Sequence, residues 1–105
     1  MEVFFIPNCP HHPRAVEQLR NVLLAEGVVA EINEVAVRSS SAAREFNFRG
    51  SPTIRINGRD VAGESPERAS YALACRIHPG AKEAGVPPVE MIRRAVRTAS
   101  AGERV

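Results

Sequence analysis

The sequence predicts one α/β domain built on a four-stranded mixed sheet with helices on both faces. Three observations predict it. The apolar run Val3-Phe4-Phe5-Ile6 is followed by a helical pattern and then by a second Val/Ile-rich run, Val28 to Val37. Such a strand–helix–strand order forces parallel pairing of its two strands. Further on, Thr53-Ile54-Arg55-Ile56 alternates and meets Asn57-Gly58, a type I′ turn dipeptide, before Arg59-Asp60-Val61-Ala62 returns as an antiparallel partner. Finally, 105 residues suffice for one hydrophobic core and suggest a single domain over residues 1–105.

Each element has a local reason. Val3 to Ile6 reads as a buried parallel strand. In the helix that follows, Val16, Leu19 and Leu23 share a face with Ala15 and Val22, and Arg14, Glu17, Gln18 and Arg20 cover the other side. Gly27 suits the left-handed residue that ends a helix. The start has two solutions: Cys9 as N-cap with Pro10 at the first helical position, or a start near Pro13 with Cys9 on the preceding turn. Glu31, Asn33 and Glu34 interrupt both faces of Val28–Val37, which predicts an edge or partly exposed strand. Ser39, Ser40 and Ser41 offer N-caps for a short helix through Phe46, and Phe46 and Phe48 are expected in the core. After the hairpin, Ser65-Pro66 caps an expected helix over Glu67–Cys75. His78-Pro79-Gly80 and Gly85-Val86-Pro87-Pro88 break the chain, and Pro88 starts a last helix with Val89, Ile92 and Val96 on one face. Residues 100–105 are expected to fray.

Composition excludes several function classes. A net charge of +2 is too small to argue for nucleic acid, and Arg93, Arg94 and Arg97 read as a solvated helix face. No apolar run approaches the roughly 20 residues of a membrane span. The start, Met1-Glu2-Val3-Phe4-Phe5-Ile6, reads as a core strand rather than a signal peptide, so the expected compartment is the cytoplasm. Thiols there are mostly kept reduced, which makes Cys9 and Cys75 reactive or metal-binding rather than a permanent staple.

Cys9 carries the chemistry. A cysteine between a first strand and a helix is where a thiol gains reactivity, because helix-terminal N–H groups and a nearby imidazole favour the thiolate. A dithiol oxidoreductase would place a second cysteine at residue 12, and this chain has His12 there. If the intervening turn is helical, His12 shares a face with Cys9 and can accept the thiol proton. Cys75 opens Cys75-Arg76-Ile77-His78, a second C-x-x-H. Cys9, His12, Cys75 and His78 together supply the S₂N₂ donor set that suits zinc. Cys9 and Cys75 can equally serve as attacking and resolving thiols, since exchange needs only a second thiolate within reach. Each feature also has a plainer reading: a half-buried packing cysteine for Cys9, core packing for Cys75, a solvent-exposed helix residue for His12. Glu31, Glu34 and Asp60 form no recognisable acid–base pair and read as surface.

With Cys9 after the first strand and Gly50-Ser51-Pro52-Thr53 before the hairpin, the chain resembles the thioredoxin superfamily. Cys9-Pro10-His11 matches the start of the C-P-H-C motif of disulfide-oxidising members, with His12 in place of the second cysteine. A narrower resemblance, to small bacterial thioredoxin-like proteins associated by name with alkylmercury lyase, rests on Gly50–Val61, Tyr71-Ala72-Leu73-Ala74-Cys75-Arg76 and Gly85-Val86-Pro87-Pro88. The resemblance implies a three-layer thioredoxin-like sandwich. Val3–Ile6 would be central, flanked by Val28–Val37 and Thr53–Ile56, with Arg59–Ala62 at the other edge. It also implies a cis bond before Pro52, against the active cysteine.

The leading functional expectation is thiol-based redox chemistry of the thiol-disulfide oxidoreductase type. Cys9 attacks, His12 tunes it, Cys75 resolves, and Pro10, Ser51 and Pro52 meet the substrate. Its partner would be a protein or small-molecule thiol or disulfide, with no cofactor required. The alternative is a protein that binds zinc, copper or mercury through Cys9 and Cys75 with or without histidines. The third is a scaffold that keeps the fold without the chemistry.

Overall fold

The computed structural model describes residues 1–48, 50–63 and 86–103. The expected helix over Glu67–Cys75, the stretch Tyr71–Arg76, Cys75 and His78 lie outside the described residues. Among the described residues seven elements run in the order β1 (Glu2–Phe5), α1 (His12–Glu26), β2 (Asn33–Ala36), α2 (Ser40–Glu45), β3 (Thr53–Ile56), β4 (Arg59–Asp60) and α3 (Val89–Glu103). The sheet order is β2-β1-β3-β4, with β1 parallel to β2 and antiparallel to β3. This is an α/β fold on a four-stranded mixed sheet, with β1 central as expected.

Alternation along the strands sends side chains to two separate cores. Val3, Ile54 and Ile56 face one side and pack with Ala15, Leu19, Val22 and Leu23 of α1 and Ile92 and Val96 of α3. Phe4 faces the other side and packs with Val37, Ala43 and Phe48, with Phe46 alongside. Helices therefore cover both faces, α1 and α3 on one and α2 on the other. Arg55, on the α2 face, lies over the Phe4 ring at 4.5 Å and donates to the Asn47 carbonyl at 2.9 Å.

Local signals set the helix ends. Of the two solutions for the start of α1, the later one holds: His11 is the N-cap, Pro13 sits in the first turn, and Cys9 lies before the helix. At the other end Gly27 takes φ 66°, its N–H donates to the Leu24 carbonyl, and Val28 N–H donates to the Leu23 carbonyl. That pair of bonds is a Schellman motif, closed by burial of Val28 beside Leu23. Ser39 caps α2 as expected, its Oγ accepting from Ala42 N–H at 3.1 Å.

One expectation about extent is corrected. The second strand spans Asn33–Ala36 instead of Val28–Val37, because β1 offers only four partners, from Glu2 opposite Asn33 to Phe5 opposite Ala36. Val28 and Ile32 still pack on the core, while Val29 is fully exposed. The last helix spans Val89–Glu103, and Ala99 packs on the core beyond Val96.

Candidate functional site

Cys9 is placed by a turn that the dipeptide Pro7-Asn8 writes into the chain. Proline supplies the fixed φ of the second turn position, and Asn8 takes φ 65° at the third, the pattern of a type II turn. The turn closes with Cys9 N–H donating to the Ile6 carbonyl at 3.2 Å. A second, longer bond runs from His12 N–H to the Cys9 carbonyl at 3.4 Å, leading into α1. Both backbone groups of Cys9 are thereby engaged, and its thiol is free and buried, with 7% of the residue exposed.

The same turn is fastened to the loop before β3. Ile6 N–H donates to Ser51 Oγ at 3.1 Å. Ile6 thus holds the Cys9 turn with its carbonyl and the Ser51 hydroxyl with its amide. Ser51 is fully buried, Pro52 beside it is among the fully buried side chains, and the bond between them is cis. Thr53 Oγ1 donates back to the Gly50 carbonyl at 2.6 Å, tightening that loop. Of the residues expected at the site, Cys9, Ser51 and Pro52 are therefore gathered by two adjoining loops at one end of the sheet. Pro10 is exposed beside them on the chain, and His11 is half-buried.

His12 has a different partner from the one expected. Its Nε2 pairs with Glu34 Oε1 at 2.5 Å, and its ring stacks on Phe5 with centroids 3.7 Å apart and planes within 2°. Among the described residues no hydrogen bond joins His12 to the Cys9 thiol. Sequence reasoning missed this pairing, reading Glu34 as surface. The usable signal was parallel register: Glu34 lies opposite Val3 and Ala36 opposite Phe5, so Glu34 projects from the same face of the sheet as Phe5, on which His12 stacks.

Two members of the S₂N₂ set, Cys75 and His78, lie outside the described residues. Among the described residues no three of His, Cys, Asp and Glu come together as metal donors. No helix among them is long and apolar enough to cross a membrane.

Electrostatic pressure in the described structure falls elsewhere, on the seam between α1 and α3. Arg97 forks onto Glu26, Nε to Oε1 at 2.5 Å and Nη2 to Oε2 at 3.3 Å, and Arg93 Nε lies 3.8 Å from Glu26 Oε2. The hydrogen bond from Arg97, above all, holds the Glu26 carboxyl below its ordinary range, with the charges of Arg97 and Arg93 adding to it against desolvation. No protein-family model, curated protein or solved structure matches the chain.

Proposed function

We propose that this protein is a thioredoxin-like domain that performs thiol chemistry at Cys9, as a monothiol within the described structure. The observation that carries the reading is the double use of Ile6, which ties the Cys9 turn and the Ser51 loop into one unit at the mouth of α1. A residue held only for packing needs no such arrangement; a nucleophile that must meet its substrate in one geometry does.

The reaction is thiol–disulfide exchange. Cys9 loses its proton to solvent, its thiolate attacks one sulfur of a disulfide, the S–S bond breaks, and the departing thiolate carries away the electron pair. The mixed disulfide left on Cys9 is released when a second thiol attacks it, either an external small-molecule thiol or Cys75. Burial of Cys9 restricts the incoming disulfide to a slender one.

The test is the rate at which Cys9 reacts with dithiodipyridine in a Cys75→Ser background, followed by mass and by release of the thiopyridone. A folded protein that reacts faster than the same chain in urea supports an activated thiol, and Cys9→Ser should abolish the modification. A folded protein that reacts more slowly than the unfolded chain makes Cys9 a packing residue and ends the proposal.

A further inference from the structure

The opposite end of the sheet carries a second feature. Because β3 runs antiparallel to β1, with Phe4 opposite Thr53 and Glu2 opposite Arg55, Ile56 and the Asn57-Gly58 turn lie beside the start of β1. Cys9 follows its end. Between the hairpin and α3 at that far end opens a groove of about 940 Å³. Its apolar wall comes from Ile56, Val61 and Ala62 on the hairpin side and from Met91, Ala95 and Ala99 on α3. The volume falls within the roughly 300–1,000 Å³ of small-molecule sites, and a mostly apolar wall with few polar groups is their usual lining.

The polar lining includes two cations beside Asn57, Asp60 and Thr98. Arg59 and Arg94 both line the groove. Neither guanidinium has a hydrogen bond or ion pair among the described residues, in contrast with Arg93 and Arg97, which are taken up by Glu26 and Glu90. Among the described residues the one carboxylate on the lining, Asp60, is already engaged, its Oδ1 accepting from Ala62 N–H at 2.9 Å. The helical spacing explains the split. Met91 lies three and four residues before Arg94 and Ala95, which lie four and three before Thr98, so the four share the groove face, whereas Arg93 and Arg97 share the face turned to α1.

We infer that this groove binds a small amphipathic anion, an aliphatic carboxylate whose head is taken by Arg59 and Arg94 and whose chain lies along the wall of Met91, Ala95 and Val61. Guanidinium groups pair with carboxylates through charge-assisted hydrogen bonds, and the apolar wall removes the chain from water. The site is independent of Cys9 chemistry.

Decanoate, kept below its micelle concentration, is the probe. Titration of the full chain followed by amide NMR should shift residues 57–63 and 91–99 and leave Cys9 and its turn unmoved. Arg59→Glu and Arg94→Glu, both at exposed positions, should each weaken binding by about tenfold or more, the worth of one charge-assisted hydrogen bond. Arg94→Lys should retain most of the affinity. Acetate, which has the head without the chain, and decylammonium, which has the chain with the opposite charge, should both bind far more weakly. Equal binding of decylammonium, indifference to both charge reversals, or decanoate shifts absent or centred away from the groove would each overturn the inference.

Discussion

The two ends of the sheet are built on opposite principles. At the Cys9 end the polar groups are satisfied from within: Ile6 bonds Cys9 and Ser51, and Thr53 bonds Gly50, with Ser51, Pro52 and Thr53 withdrawn from solvent. At the hairpin end the wall is apolar, and two arginines face the groove without partners among the described residues. Each end suits a different kind of recognition. An end that spends its hydrogen bonds on itself holds one atom in place, as a nucleophile requires. An end that keeps cations unpaired beside apolar surface is arranged to receive something from outside.

The most damaging test of this contrast is a change beneath both ends. Ile54 is fully buried on the face that packs against α1 and α3. Ile54→Ala should cost about 2–5 kcal/mol in chemical denaturation, and both ends should melt in one transition. Separate transitions, read by Cys9 alkylation and by the hairpin amides, would make the two ends independent units.

Ser51→Ala should act at one end only. It removes the acceptor of Ile6 N–H, a part-buried bond, and should cost about 1 kcal/mol. The rate of Cys9 modification should change with it, while decanoate binding stays as it was. An unchanged Cys9 rate would break the link between the Ser51 loop and the thiol.

The smallest effect belongs to the seam that joins α1 to α3 beside the groove. Glu26 has its folded carboxyl held below the ordinary value, chiefly by the Arg97 hydrogen bond. A depressed carboxyl contributes stability that is present above its unfolded pKa and is lost as pH falls through the folded one. Glu26→Gln should therefore lower Tm slightly at neutral pH, and the gap from the parent should close in acid. A gap that persists or widens at low pH would remove the ion pair as its cause. Salt should narrow the gap at neutral pH, because these side chains are at the surface.

Much of this molecule is legible one segment at a time. Asn57-Gly58 turns because both residues tolerate positive φ, 53° and 77° here, and Gly58 has open space where a Cβ would go. Gly27 ends α1 and Ser39 begins α2 for equally local reasons. The alternation of Thr53 to Ile56 already marked a strand. The position of Cys9 between the first strand and α1 was readable as well, although the Pro7-Asn8 turn that presents it was overlooked beside the more conspicuous cysteine.

What the chain by itself determined, then, is the kind and order of its elements, because caps, turns and periodicity depend on neighbours a few residues apart. Tertiary structure alone decided who meets whom. His12 reaches Glu34 across 22 positions, and Ile6 reaches Ser51 across 45. Glu26 meets Arg97 across 71, which divides Arg93, Arg94 and Arg97 between an ion-paired seam and an open groove. The length of β2 was decided in the same way, by the four residues that β1 could offer it. Local chemistry sets what each segment can be. A hydrogen bond or ion pair between distant segments exists only once packing has brought its two groups within about 3 Å, and no spacing along the chain encodes that distance.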